Sequence, residues 1–171
     1  YLTEDVDEFV LQVLRSYGEK DKEKEFRNVS GSDLDLDTEE EKAEAKSKNE
    51  ENKELFSAIQ AALGDKVKDV RISQRLKSHP VCLASDGALS IEMEKVLNSM
   101  PTNEEKVKSE KILELNGNHP VFAALKKTLA DGDKDKLAAY SELLYEQARL
   151  IEGLSVEDPV SYANHVCALM V

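Results

Sequence analysis

The sequence predicts an α+β fold, with helices packed on a small three-stranded sheet and an apolar helix pair at the C-terminus. Apolar residues recur three and four apart through much of the chain, the repeat of helices with one buried face. Three short runs, around Val70, Leu83 and Leu113, instead alternate or stay apolar between turn residues, as strands do. Composition agrees: there is no Trp, only 5% aromatics, and an abundance of Leu, Ala, Lys and Glu.

The first helix is expected from Asp5 or Asp7 as cap, with Val6, Phe9, Val10, Val13 and Leu14 on its apolar side and a stop near Tyr17-Gly18. A charged loop follows, then a strand-like run from Phe26 to Ser30. One helix and one strand cannot bury a core, so residues 1–36 read as the tail of a preceding domain. The chain opens on Tyr1, which fits a piece of a longer protein. Residues 37–54 are almost wholly charged. They form a linker or an exposed helix supported by pairs such as Glu44 and Lys48, running on into the next element.

A second domain is expected over 55–171. Leu55, Phe56, Ile59, Ala62 and Leu63 share a helical face, with Gly64 at its C-terminal end. Strands follow at Val70-Ile72, at Val81 to Ser85 and at Lys111 to Leu115. Asn118 is the expected cap of a helix that has Pro120 in its first turn and carries Val121, Phe122, Leu125 and Leu129. Asp131-Gly132-Asp133 stops it.

Two helices close the chain. In the first, Leu137, Tyr140, Leu144, Ala148 and Ile151 form one stripe, while Leu143, Leu150 and Leu154 lie on another face. In the second, entered through Asp158 and Pro159, Val160, Ala163, Cys167 and Met170 form one stripe, and Tyr162, Val166 and Leu169 form another. A helix in a lone domain needs one apolar face. The surplus calls for a partner, and a second copy of the same pair is the simplest one.

Between the second and third strands lies an amphipathic insert, residues 86–103. Leu89, Met93, Val96, Leu97 and Met100 make one narrow stripe. Such a stripe either covers the sheet as core or projects as a surface that adapts to varied partners, a use to which unbranched methionine is suited.

Several functions are excluded by what is missing. A net charge of -12 offers no basic face to nucleic acid. No apolar run approaches the ~20 residues that span a bilayer, and no signal peptide is present. Cys82 and Cys167 sit in apolar stretches and read as reduced residues of a cytoplasmic protein. No glycine-rich phosphate loop, Cys-x-x-Cys pair or His-Glu-x-x-His signature occurs. His79, His119 and His165 stand at element boundaries or on a helix, too few for a closed metal site or an oriented thiol-base pair. No catalytic, cofactor-binding or metal-ligating residue is expected.

Several ordered runs resemble one family. Tyr1-Leu2-Thr3-Glu4 with Val6-Asp7-Glu8-Phe9, and then Phe26 to Leu36, are similar to the end of the middle domain of the ninety-kilodalton heat-shock chaperones. Val70 to Leu76 with Pro80 to Leu83 resembles the start of their C-terminal domain. Glu114-Leu115-Asn116 with Asn118-His119-Pro120 resembles an ELNPxHP motif in which Gly117 replaces the usual proline, and Leu154 to Pro159 resembles the turn before the last helix. The likeness is greatest to the bacterial branch.

The resemblance implies a homodimeric, ATP-dependent chaperone that assists protein folding under stress. Its nucleotide site, with Mg²⁺, would lie upstream of Tyr1, leaving this piece without cofactor or ATPase activity. It implies that the last two helices of each copy form an intermolecular four-helix bundle, through Leu137, Tyr140, Leu144, Ala148, Ile151, Val160, Ala163, Val166, Cys167 and Met170. It also implies that the insert helix contacts unfolded or partly folded clients, with Leu89, Met93, Val96, Leu97 and Met100 exposed for them. The chain ends Leu169-Met170-Val171, so co-chaperones that read an acidic C-terminal peptide are not expected partners.

Overall fold

The computed structural model describes residues 4, 7–14, 16–18, 24–26, 39–87, 89–100 and 106–170. They form two compact units, Tyr1–Asp35 with Ser85–Glu110 and Leu36–Ala84 with Lys111–Val171.

In the second unit the charged stretch is helical, as α2 (Glu39–Glu51), but it does not run unbroken into α3 (Lys53–Leu63). The break falls at Asn52, whose backbone leaves the helical region and whose side-chain amide donates to Lys48 O at 2.6 Å. Asparagine competes for helix backbone groups in this way and so favours a junction. No described α2 side chain is buried; Asn49 tethers the helix by accepting from Ile72 N–H at 2.8 Å. Helix α3 buries Leu55, Phe56, Ile59 and Leu63, and a short 3-10 turn, Gly64–Lys66, leads to the sheet.

The sheet comprises β3 (Asp69–Ile72), β4 (Val81–Asp86) and β5 (Glu110–Leu115), two shorter strands, β1 (Ser16–Tyr17) and β2 (Lys24–Glu25), belonging to the first unit. Its spatial order is β3-β5-β4. Strands β3 and β5 run parallel, from Asp69 beside Ile112 to Ile72 beside Leu115. Asn116 N–H donates to Pro80 O, so the end of β5 meets the start of β4 as antiparallel neighbours do. The sheet is therefore mixed. The strand latest in sequence is central, which explains why Lys111 through Leu115 are all buried.

Helix α5 (Pro120–Ala130) starts one residue later than expected. Its cap is His119, whose Nδ1 accepts from Val121 N–H at 3.2 Å, not Asn118. The shift comes from Asn116, which is 3% exposed. Its amide donates to Lys77 O and His79 O while its Oδ1 accepts from Asn118 N–H, drawing Asn118 into the turn. Next to it, a Cβ on Gly117 would lie 3.2 Å from Ile72 Cδ1, so this turn packs tightly on the sheet. Helix α6 (Lys134–Ile151) runs along α3 and α5, and α7 (Pro159–Ala168) lies against α6. Phe56 and Phe122 meet with ring centroids 6.3 Å apart, joining α3 to α5.

The first unit holds α1 (Asp7–Leu14), a two-residue antiparallel pair of β1 (Ser16–Tyr17) and β2 (Lys24–Glu25), and α4 (Ile91–Ser99), which lies beside α1. Of the strand expected over Phe26 to Ser30, residues 27–30 lie outside the described residues, and Phe26 follows β2 outside the ladder with its ring 5.0 Å from Tyr17. Val10, Val13 and Leu14 are exposed, so α1 has more apolar surface than this unit covers. Among the described residues no helix is long and apolar enough to cross a membrane.

Candidate functional site

The terminal helix pair carries one of the two concentrations of uncovered apolar side chains among the described residues, the other lying at Val10, Val13, Leu14, Tyr17 and Phe26. Among the described residues eleven large hydrophobics are exposed, and five of them, Leu150, Ile151, Val160, Leu169 and Met170, fall in the last 22 residues of the chain. A contiguous exposed apolar patch is the usual mark of a contact surface.

Helix α6 is begun by Asp133, whose carboxylate accepts from Lys136 N–H at 3.0 Å. Its stripe Leu137, Ser141, Leu144, Tyr145 and Ala148 is buried, and α3 and α5 are the helices it runs along. Each large side chain buried this way contributes about 1.5–3 kcal/mol. Three residues expected at an intermolecular face, Leu137, Leu144 and Ala148, thus already belong to the core of a single copy. Tyr140 is half-buried and Ile151 is exposed.

The end of α6 and the start of α7 are fixed by a polar clamp. Gly153 takes a φ of 73°, a left-handed value that a side chain would strain. Gly153 N–H then reaches Leu150 O, and Leu154 N–H reaches Arg149 O at 2.8 Å, the paired bonds of a glycine-ended helix. Arg149, 8% exposed, donates from Nε and Nη2 to Ser155 O and from Nη1 to Glu157 (2.8 Å) and the Tyr145 hydroxyl. Its Nε lies 3.5 Å from Glu146 Oε2, which also accepts from Glu157 N–H. Burial alone would lower the Arg149 pKa; Tyr145, Glu157 and Glu146 outweigh it and hold the guanidinium above its ordinary value. Burial pushes the Glu146 carboxyl up despite these partners. Asp158 then caps α7, accepting from Val160 and Ser161 N–H.

No residue of helix α7 is fully buried within the chain, although Tyr162, His165 and Val166 are half-buried. Val160 is 70% exposed and Met170 76%; Ala163 and Cys167 are exposed, and Val166 is half-buried. A groove of about 420 Å³ runs between the two helices, lined chiefly by Tyr140, Leu143, His165 and Leu169.

Helix α4 is capped by Ser90, whose hydroxyl accepts from Met93 N–H. The stripe expected to be exposed there is mostly covered. Met93 and Val96 are buried, Leu89 and Leu97 half-buried, and Met100 is 40% exposed. Glu94 on the same helix is buried too, its Oε2 accepting from both Ser109 N–H (2.8 Å) and Ser109 O–H (2.6 Å).

Sequence reasoning missed one cluster. On the central strand Glu114 is 3% exposed. Its carboxylate accepts from Arg71 (2.6 Å), Arg75 (3.1 Å) and Ser73 (2.9 Å), with Cys82 Sγ at 3.6 Å. Burial by itself would raise the Glu114 pKa; Arg71 and Arg75, with Ser73, prevail and hold it below the ordinary range. Burial, and then the Glu114 charge, push the Cys82 thiol up to about 12. A thiol so high stays protonated at neutral pH and is no nucleophile. The Arg-x-x-x-Arg spacing on β3 and its turn was visible, but nothing local tied it to Glu114, 43 residues beyond Arg71. Among the described residues no group of three or more His, Cys, Asp or Glu side chains is placed to hold a metal ion.

Comparison with known proteins gives these surfaces a context. A family profile described as Hsp90 protein matches residues 1–171. The chain is 53% identical over 170 residues to the chaperone protein HtpG of Clostridium botulinum (strain Langeland), covering 99% of this chain and 26% of that protein. It is 54% identical over 171 residues to that of Alkaliphilus oremlandii and 52% identical over 171 residues to that of Bacillus subtilis, each alignment covering 100% of this chain and 26% of the relative. The chain thus spans about a quarter of the length of the curated relatives it matches. With a family profile matched from end to end and relatives above half identity, the chain belongs to the Hsp90 protein family.

Proposed function

We propose that this chain is the base of a chaperone clamp from the bacterial cytoplasm: the tail of a middle domain (1–36), a helical connector (37–54) and a C-terminal dimerisation domain (55–171). Its last two helices join two copies in a four-helix bundle. The observation that carries this reading is the uncovered apolar face of α7. Because Leu137, Leu144 and Ala148 are already packed within one copy, the contact falls mainly to Ile151, Val160, Ala163, Cys167 and Met170. Tyr140 and Val166, both half-buried, supply its margin.

Joining the copies at their base turns closure of the rest of the clamp into an intramolecular event at high effective concentration. ATP and Mg²⁺, which drive closure in the whole protein, belong to a part outside these residues, and this part takes no cofactor. Clients are unfolded or partly folded proteins, which α4 receives through Leu89, Met93, Val96, Leu97 and Met100. Nucleic acid and membranes play no part, in keeping with the net charge of -12. A second reading, a dimerisation module without a client role, is favoured by the burial of Met93 and Val96.

Sedimentation velocity tests the dimer. The chain should sediment as a dimer at micromolar concentration, and Val160→Glu with Ala163→Glu should give a folded monomer, since both positions are exposed in the single copy. A wild-type monomer under those conditions sinks the proposal.

A further inference from the structure

Helix α4 poses a contradiction between pattern and placement. A stripe suited to adaptable contact is turned inward, and the bonds that hold it there are unusually specific. Glu94, 6% exposed, accepts two hydrogen bonds from the single residue Ser109, itself 7% exposed. One turn further on, the Asn98 side chain makes a matched pair with the backbone of Val107: Nδ2 donates to Val107 O and Oδ1 accepts from Val107 N–H, both at 2.9 Å. An amide side chain bonded to both backbone groups of one residue imitates a strand neighbour. Both contacts therefore grip the same return segment, Val107 to Ser109, from consecutive turns of α4.

The residues between these polar contacts are the ones that matter for binding. Met93 adjoins Glu94, and Val96 and Leu97 lie between Glu94 and Asn98. Apolar packing alone tolerates repacking, whereas these four polar bonds to one three-residue segment set a single register for α4. Three of the four run between a side chain and the backbone of that segment, so they come apart together when the segment moves, as the parts of a catch do.

We propose that Glu94–Ser109 and Asn98–Val107 form a latch that keeps α4 closed, and that its release presents Met93 and Val96 to an apolar stretch of an unfolded polypeptide. This rests on the reading of α4 as the client-contacting helix. In the closed state the part of the stripe that meets solvent is Met100 with the half-buried Leu89 and Leu97. Release would join them to Met93 and Val96 in one continuous stripe.

The chain supplies its own reporters, for its three methionines are graded in exposure: Met93 8%, Met100 40% and Met170 76%. Mild peroxide converts exposed methionines to sulfoxide, and mass spectrometry reads each site. In the full 171-residue chain, Asn98→Ala with Ser109→Ala should raise the oxidation rate of Met93 by about tenfold. Met100 and Met170 should change little. The same variant should retain severalfold more of a reduced, carboxymethylated lactalbumin, used as a permanently unfolded probe. If Met93 oxidation is unchanged, the latch does not hold α4 and the proposal falls. If Met93 oxidation rises while probe capture stays flat, the latch stands and the client role of α4 falls with the regulation built on it. Should the double variant unfold, seen as fast oxidation at every methionine with loss of circular dichroism, Ser109→Ala alone is the second arm. It keeps the Ser109 N–H bond to Glu94, and the same two readouts decide.

Discussion

Replacing Arg149 with methionine probes the joint on which the terminal helix pair depends. Methionine keeps most of the aliphatic volume and removes every donor. The change strips Ser155 O of two hydrogen bonds, frees the Tyr145 hydroxyl and Glu157, and leaves the Glu146 carboxylate, 7% exposed as a residue, without its cation. Breaking a buried ion pair by removing one partner costs about 3–5 kcal/mol. The lower end applies here, because Glu146 still accepts from Glu157 N–H and can take up a proton. A loss of about 3 kcal/mol lowers the melting temperature of a chain this size by about 6–12 °C. The pH dependence is the sharper test. The Glu146 carboxyl already lies above its ordinary value in the folded protein, because of burial, and loss of Arg149 raises it further. A carboxyl raised on folding favours the fold in its protonated form, so the variant should regain stability as pH falls through the folded value. Differential scanning calorimetry from about pH 7 to about pH 5 reads both effects. A deficit under ~1 kcal/mol, or one constant across that range, would refute the clamp. If the clamp sets the direction of α7, the variant should also self-associate more weakly in sedimentation.

The other expectations concern the sheet and the cysteines. Glu114→Gln should cost about 2–3 kcal/mol at neutral pH, the usual loss discounted because Arg71 and Arg75 are partly hydrated. The Glu114 pKa is lowered in the fold, so its contribution is complete above the ordinary carboxylate value of about 4.3 and fades as pH falls through the folded one. Urea titrations of the two proteins should therefore converge in acid, and a gap that stays constant down to about pH 3 would contradict the ion cluster. Iodoacetamide at about pH 8 should leave Cys82 unmodified, its thiol lying near 12. It should label exposed Cys167, faster in the Val160→Glu, Ala163→Glu monomer than in wild type if α7 is the contact between copies. Ready labelling of Cys82 in the folded chain would overturn the assignment of its surroundings.

How much was legible depended on the range of the interaction. Asp158 was readable as a cap because a cap bonds to amides two or three residues away; Asp133, read only as part of the loop that stops α5, caps α6 in the same way. Two misses were equally local in appearance but not in cause. His119 took the cap from Asn118 because Asn116 is anchored to Lys77 and His79, on a loop nearly 40 residues earlier. The expected continuous helix broke at Asn52, where a side chain competes for the helix's own backbone.

By itself, the sequence determined the α+β class, the three main strands, the order of the helices and the presence of surplus apolar faces on the last two. Periodicity reports these because it follows from backbone geometry, which is the same wherever a helix or strand sits. It reports that a face is apolar and cannot report what covers it. Only the tertiary structure placed β5 between β3 and β4, and so gave Glu114 two arginines from a distant strand and turn. It alone assigned Leu137, Leu144 and Ala148 to the core of one copy and left the face of α7 open. It alone also showed Met93 and Val96 buried, with Glu94 and Asn98 beside them bonded to Ser109 and Val107 beyond the helix.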